Sequence, residues 1–190
     1  MAVFVAIHLP RLPLEVFRPR WSPRTEHGCV VLDREKMLIA DASAREAGVA
    51  IGMRRGGVIT LAEEALVYDR DVARERALLL DIAYAVMRFT PMVAECAEDT
   101  IVFDITASIR LFGGVPCIRR SIKRIVEAVG VTGRISVAPT RQGAWLLSRR
   151  GKTRVLKMRS LERTLDTMPF FVVLEMRRFA DWFSGLGCVQ

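Results

Sequence analysis

The sequence predicts an α+β fold: a ferredoxin-like βαββαβ sandwich with a small domain inserted after its first strand and the start of a helical segment at its C-terminal end. Three observations predict it. A short apolar, β-rich run, Ala2 to His8, opens the chain. Two segments of helical period, 71–89 and 116–129, flank two adjacent runs that read as a hairpin. A further strand-like run, Arg134 to Ala138, follows the second of these helices, which completes the βαββαβ order.

Each element has its own warrant. Ala2 to His8 is closed by Pro10 and Pro13 and reads as a buried strand. Residues 10–27 carry four prolines and several arginines, the composition of a loop or a broken helix. Cys29–Leu32 and Met37–Ala40 read as strands joined across Asp33–Lys36. Ser43–Ala47 reads as a short helix with Gly48 as its C′ residue. Gly52, Gly56 and Gly57 mark a turn region, and Ile59–Ala65 another short helix. In the Asp71–Phe89 helix the apolar positions are Val72, Leu79, Leu80, Ala83, Tyr84 and Met87, with Pro91 as the stop. Met92–Cys96 and Thr100–Thr106 form the hairpin, with Ala97–Asp99 at its turn. Pro116 suits the first turn of the next helix, whose stripe is Ile118, Ile122, Ile125, Val126 and Val129, ended by Gly130 and Gly133. Thr140 is a helix N-cap for a segment reaching about Arg150. Residues 151–160 are a basic connector. Residues 161–190 read as helical, broken at Pro169, Gly185 and Gly187.

The chain has 190 residues, enough for one domain or one domain plus the start of another. Apolar residues make up 51%, which supports a core and excludes a disordered composition. Net charge is +8, with a pI near 10.0. That balance suits a polyanion, chiefly nucleic acid, with a membrane surface second. No stretch approaches the roughly 20 apolar residues of a membrane span, and the start lacks the basic n-region of a signal peptide. The expectation is a cytoplasmic chain with no membrane partner. The cysteines, Cys29, Cys96, Cys117 and Cys188, form no C-x-x-C pair and read as buried or idle thiols.

The charge is unevenly placed. From Ala107 to Arg159 there are thirteen cations and one acid, Glu127, so the rest of the chain is net negative. Arg119, Arg120, Lys123 and Arg124 lie opposite the apolar stripe of one helix, as a solvated face or as phosphate contacts. Arg149, Arg150, Lys152, Arg154, Lys157 and Arg159 form a second cluster. Trp145, Trp182 and Phe183 read as core at helical spacing rather than as base-stacking platforms. No aromatic RNA-recognition pattern is present. His8 and His27 read as a strand-end and a loop residue rather than as metal ligands.

Several motifs resemble the Y-family (UmuC-domain) DNA polymerases. The segment Ile39–Arg55, with Ala44, Arg45, Gly48, Val49, Gly52 and Met53, resembles that family's fingers pattern A-R-x-x-G-V-x-x-G-M. Ile101–Gly114, with its LFGG, and Ser136–Arg149, with APT followed by AWLL, resemble one subgroup, the ImuB-type inactive relatives of the bacterial mutasome. The resemblance covers roughly residues 3–190. It implies a palm at 1–9 and 70–158, fingers at 10–69, and a partial thumb at 159–190. Phe179–Gln190 looks like the first half of a helix-hairpin-helix, so residues 161–190 are expected to be poorly ordered.

The resemblance also locates the chemistry. Phosphoryl transfer to a primer end uses two Mg²⁺ ions about 3.5–4 Å apart, held by oxygen ligands, above all carboxylates. Aligned on Phe4 and Val5, the family's first-strand aspartate falls on Ala6 and the next acidic position on His8. At the hairpin, D-E-x-x-x-D fits Asp99, Thr100 and Asp104; a shift of one residue places Glu98 and Asp99 there instead. The triphosphate contacts fall on Ile39 and Ala42, with the arginine kept as Arg45 and the palm lysine near Arg141.

The expected function is therefore a non-catalytic, polymerase-like DNA-binding subunit in DNA repair and error-prone translesion synthesis under the SOS response. No catalytic residue, metal or cofactor is expected. The DNA contacts expected are Arg45, Arg119, Lys123, Arg141, Arg149, Arg150, Lys152, Arg154 and Lys157, on primer–template or damaged DNA. By resemblance the partners are an error-prone replicative-type polymerase and a RecA-like mutasome subunit, and binding to the sliding clamp is expected to be lost with a missing C-terminal part. Two alternatives stand beside this. One is a weak Mg²⁺-dependent DNA-directed DNA polymerase using Asp99, Glu98 and Asp104. The other is a truncated remnant without function.

Overall fold

The computed structural model describes residues 2–23, 27–97, 99–151, 154–169, 172–173, 176 and 178–185. In chain order the elements are β1 (Phe4–His8), α1 (Leu12–Glu15), β2 (Cys29–Asp33), β3 (Lys36–Ala40), α2 (Ala42–Glu46), α3 (Arg55–Leu61), β4 (Leu66–Asp69), α4 (Val72–Val86), β5 (Val93–Cys96), β6 (Thr100–Asp104), α5 (Val115–Val129), β7 (Arg134–Ala138), α6 (Arg141–Arg150), α7 (Met158–Asp166) and α8 (Ala180–Gly185). They divide into two compact units. One holds Met1–His8, Ala83–Arg124 and Gly133–Gln190; the other holds Leu9–Ile82 and Ile125–Thr132. Among the described residues no helix is long and apolar enough to cross a membrane.

The first unit is built on a four-stranded antiparallel sheet of order β5-β6-β1-β7. That is the strand order and pairing of a ferredoxin-like sandwich, so the expected fold class holds. β1 is central. Ala6 sits opposite Val102 and Ser136, and His8 opposite Thr100 and Arg134. Ladder partners lie on one face, and the faces alternate along the strand. Ala6, Val102 and Ala138 therefore share a face, which α6 and α7 cover with Ala144, Leu147 and Leu161. Val5, Ile7, Ile101, Phe103 and Val137 share the other face, and all are buried. A strand covered on both sides must be apolar throughout, which is why β1 reads as a continuous run.

The second unit carries a three-stranded sheet of order β3-β2-β4. β2 is again buried on both faces. Val30 and Leu32 join Met37, Ala44, Val49 and Val58 in one cluster, while Cys29 and Val31 join Leu14 in another. The β2–β3 turn has Arg34 at φ 48° and Glu35 at φ 65°, a two-residue connection whose twist matches the strands. Gly28, at φ 83°, is required sterically, because a Cβ there would lie 2.7 Å from Ala44 N.

Four expectations need correction. Gly56 and Gly57 are not in a turn but in α3, which begins at Arg55 rather than Ile59. The strand Leu66–Asp69 adds to the expected elements; it is only four residues long, with both ends exposed, and pairs in parallel with β2 across a long crossover. In α4 the buried positions are Glu75, Leu79, Ile82 and Val86, whereas Val72, Leu80, Tyr84 and Met87 are exposed. Trp182, read as core, is 62% exposed. The expected helix break at Gly187 and the expectation for Cys188 lie outside the described residues.

Candidate functional site

α6 faces the β5–β6 hairpin with a ridge of three long side chains. Thr140 starts the helix, its Oγ1 accepting a hydrogen bond from Gly143 N at 3.0 Å. From there Arg141, Trp145 and Arg149 follow at intervals of four and so lie on one helical face. All three reach the hairpin. Arg141 Nη2 lies 3.4 Å from Cys96 Sγ, and Trp145 Nε1 donates to Ala97 O at 3.4 Å. Arg149 Nη2 donates to Ala97 O at 2.9 Å and to Thr100 Oγ1 at 3.0 Å. The Arg149 guanidinium also sits 4.5 Å from the Trp145 ring centroid, a cation–π arrangement. Arg134 Nη1 donates to Arg149 O at 2.8 Å, meeting one of the last-turn carbonyls.

This ridge ends at the corner where the family resemblance puts metal ligands. Thr100 is fully buried and faces His8 across the sheet, with Oγ1 3.3 Å from His8 Nδ1. Arg149 can only donate, so Thr100 Oγ1 is its acceptor. Asp99 sits in the turn with φ 50°, just ahead of β6; Glu98 lies outside the described residues. Asp104 closes the next turn: its Oδ1 accepts from Thr106 N at 2.7 Å and from the Thr106 hydroxyl, which in turn accepts from Val3 N at 2.8 Å.

Tested against a pair of divalent cations, the described residues of the corner do not fit. The Ala6 side chain has no oxygen to offer. His8 and Thr100 are bonded to each other, and a guanidinium stands against the same hydroxyl. Hard cations need several oxygen ligands each. Among the described residues no three His, Cys, Asp or Glu side chains come together as a metal group.

The other expected contacts are dispersed. Arg45 is exposed on α2 and donates Nε to Asp41 O at 3.1 Å, within the turn whose cap Asp41 provides. It belongs to one compact unit and Arg141 to the other. Arg150 Nη1 donates to Thr167 O at 2.6 Å, fastening the end of α7. Arg154, Lys157 and Arg159 are exposed, as are Arg120, Lys123 and Arg124 on α5, while Arg119 is half-buried. Lys152 lies outside the described residues. Trp182 and Phe183 form an edge-to-face pair at 4.9 Å.

A further feature, which no sequence pattern announces, is a cleft in the second unit. It measures about 490 Å³ and is lined by Arg11, Arg18 and Arg20, with Glu15, Cys29 and Asp41. Its acids are engaged: Glu15 accepts from Thr132 N at 2.7 Å and Thr132 Oγ1 at 2.5 Å, and Asp41 caps α2. Burial, helped by the charge of Asp41, pushes the Cys29 thiol up to about 12. The arginines of the 10–27 segment were the available signal, but nothing local showed that they converge.

The comparisons agree with one another. The family model described as the impB/mucB/samB family matches residues 25–149. Protein ImuB from two strains of Caulobacter vibrioides is 30% identical over 104 residues, covering 55% of this chain and 23% of the relative. The chain thus aligns with about a quarter of the length of those relatives. Among solved structures, DinB from Sulfolobus solfataricus superposes with a TM-score of 0.71 at 16% identity, over 99% of this chain and 58% of that one. A Dbh ternary complex gives a TM-score of 0.69 at 16% identity, over 95% and 56%. At such identity these structures speak to the fold.

Proposed function

From the premise that the chain belongs to the impB/mucB/samB family, we propose that it is a non-catalytic, polymerase-like DNA-binding subunit acting in DNA repair and error-prone translesion synthesis. The observation that carries this is the corner at β1 and β6. Where the chemistry needs carboxylates around two dications, the chain has Ala6, a His8–Thr100 pair and the Arg149 guanidinium. Electrostatic and metal stabilisation are the main source of rate in phosphoryl transfer, so this donor set favours binding over chemistry.

The exposed cations supply the binding. Arg120, Lys123 and Arg124 on α5, with Arg154, Lys157 and Arg159 at the start of α7, offer sequence-independent phosphate contacts on primer–template or damaged DNA. Arg119, Arg45, Arg141 and Lys152 are further candidates. Arg149 and Arg150 hold the structure that presents the others. The similarity to ImuB supports a place beside an error-prone replicative-type polymerase and a RecA-like protein in an SOS-induced assembly. A weak polymerase would work from Asp99, Glu98 and Asp104, the last of which also holds its turn through Oδ1.

The test combines both activities. Labelled primer–template DNA is titrated with the chain at several salt concentrations, with Mg²⁺ and nucleotides present. Binding that weakens steeply with salt, without extension, is the expected result. Extension, abolished by Asp99→Ala, would replace this reading with the polymerase one. Neither binding nor extension would favour a remnant.

A further inference from the structure

The corner does more than lack ligands: it already contains a cation. The Arg149 charge is fixed from three directions, by the Thr100 hydroxyl at 3.0 Å, the Ala97 carbonyl at 2.9 Å and the Trp145 ring face at 4.5 Å. Thr100 and Ala97 lie at the two ends of the hairpin turn, so one guanidinium ties both strands to α6. Planar and permanently charged, arginine bonds both acceptors through Nη2 while its flat face lies on the Trp145 ring, a stack that a lysine ammonium does not make. Trp145 adds a second donor to the same carbonyl. A divalent ion drawn to acids at positions 99 or 100 would have to enter beside this charge, and like charges at short range in a half-buried site repel strongly.

We infer that Arg149 is a resident cation standing in for the divalent ion at this corner, so that a carboxylate placed at position 100 pairs with Arg149 instead of joining a metal site. The inference shares with the proposed function its reading of where the corner lies, but its test involves no DNA, so either can fail alone.

The probe is Mn²⁺, followed by its free-ion paramagnetic resonance signal on the full chain. Ala6→Asp with Thr100→Glu is compared with the same pair carrying Arg149→Gln. The expected result is Mn²⁺ affinity unchanged from the unsubstituted chain while Arg149 is present, and tighter by about tenfold or more once its charge is removed. Equal affinities with and without Arg149, or no gain in a folded triple variant, would overturn it. Should the multiple variants fail to fold, the single changes Thr100→Glu and Arg149→Gln and their double decide by thermal unfolding. The carboxylate introduced by Thr100→Glu is expected to raise the unfolding constant by about tenfold less with Arg149 in place than in the Arg149→Gln background. A Thr100→Glu effect independent of residue 149 sinks the inference.

Discussion

His8 and Thr100 face one another across the β1–β6 ladder, the histidine Nδ1 3.3 Å from the threonine hydroxyl, at the inner end of the Arg149 side chain. Thr100 is fully buried, so removing its hydroxyl takes away one acceptor of Arg149 Nη2 and the partner of His8 Nδ1. Thr100→Val, close to isosteric, is expected to cost about 1–3 kcal/mol in urea unfolding, and Thr100→Ser distinctly less. A Val variant as stable as the original would mean that these bonds carry no weight.

Glu75 is 3% exposed and held by Arg70, which donates Nη2 at 2.7 Å and Nε at 2.9 Å and also reaches Asp33 at 3.2 Å. The hydrogen bond to Glu75 holds the Arg70 guanidinium above its usual range. Arg70→Ala strands a buried carboxylate and is expected to cost about 3–5 kcal/mol. The double change Arg70→Met with Glu75→Leu should recover most of that loss. Equal destabilisation in both variants, measured by chemical denaturation, would show that packing rather than charge dominates.

Gly143 lies where α6 and α7 approach. A Cβ there would meet Leu161 Cδ2 at 2.6 Å and Thr140 Oγ1 at 2.7 Å, the cap itself. Alanine is the better helix former by about 1 kcal/mol, yet overpacking and cap loss outweigh this. Gly143→Ala should lower stability by about 1–3 kcal/mol. A higher melting temperature would mean that helix propensity won.

Cys29 is fully buried, with its thiol pushed from an ordinary 9.0 up to about 12. Between these values the unfolded chain has lost the proton and the folded chain keeps it, so the unfolded state binds fewer protons. Stability from this group is therefore whole below pH 9 and falls as pH rises towards 12, by at most about 1.4 kcal/mol per pH unit. Cys29→Ala should flatten that decline in alkaline unfolding curves. In the native protein at about pH 8, iodoacetamide should spare Cys29 while modifying it freely in urea, as peptide mass spectrometry would read.

Arg120, Lys123 and Arg124 are exposed on one helix. Their joint change to glutamine should weaken DNA binding to the same degree for unrelated sequences and lower the salt slope by about one for each phosphate no longer neutralised. Fluorescence anisotropy over a salt series measures both. An unchanged slope would move the interface off α5.

Much of the fold was legible. β1, the β2–β3 and β5–β6 hairpins, α5, β7 and α6 announce themselves through local patterns and stops such as Pro116, Gly130 and Thr140. Where reading failed, the deciding contact was distant. β4 exists because β2 offers it an edge, not because LVYD is a strong strand. In α4, Leu80 and Ile82 are equally apolar, and only the packing decides that Ile82 turns inward while Leu80 faces out.

The candidate site divides in the same way. By itself the sequence determined the order of most elements, the basic stretch from Ala107 to Arg159, and a first strand without a carboxylate at Ala6 or His8, because these are properties of residue identity and spacing. The tertiary structure alone decided that Arg149 turns onto a hairpin 49 residues away. A cation's partner is set by which acceptors the fold carries within its reach, and residue identity does not encode that distance.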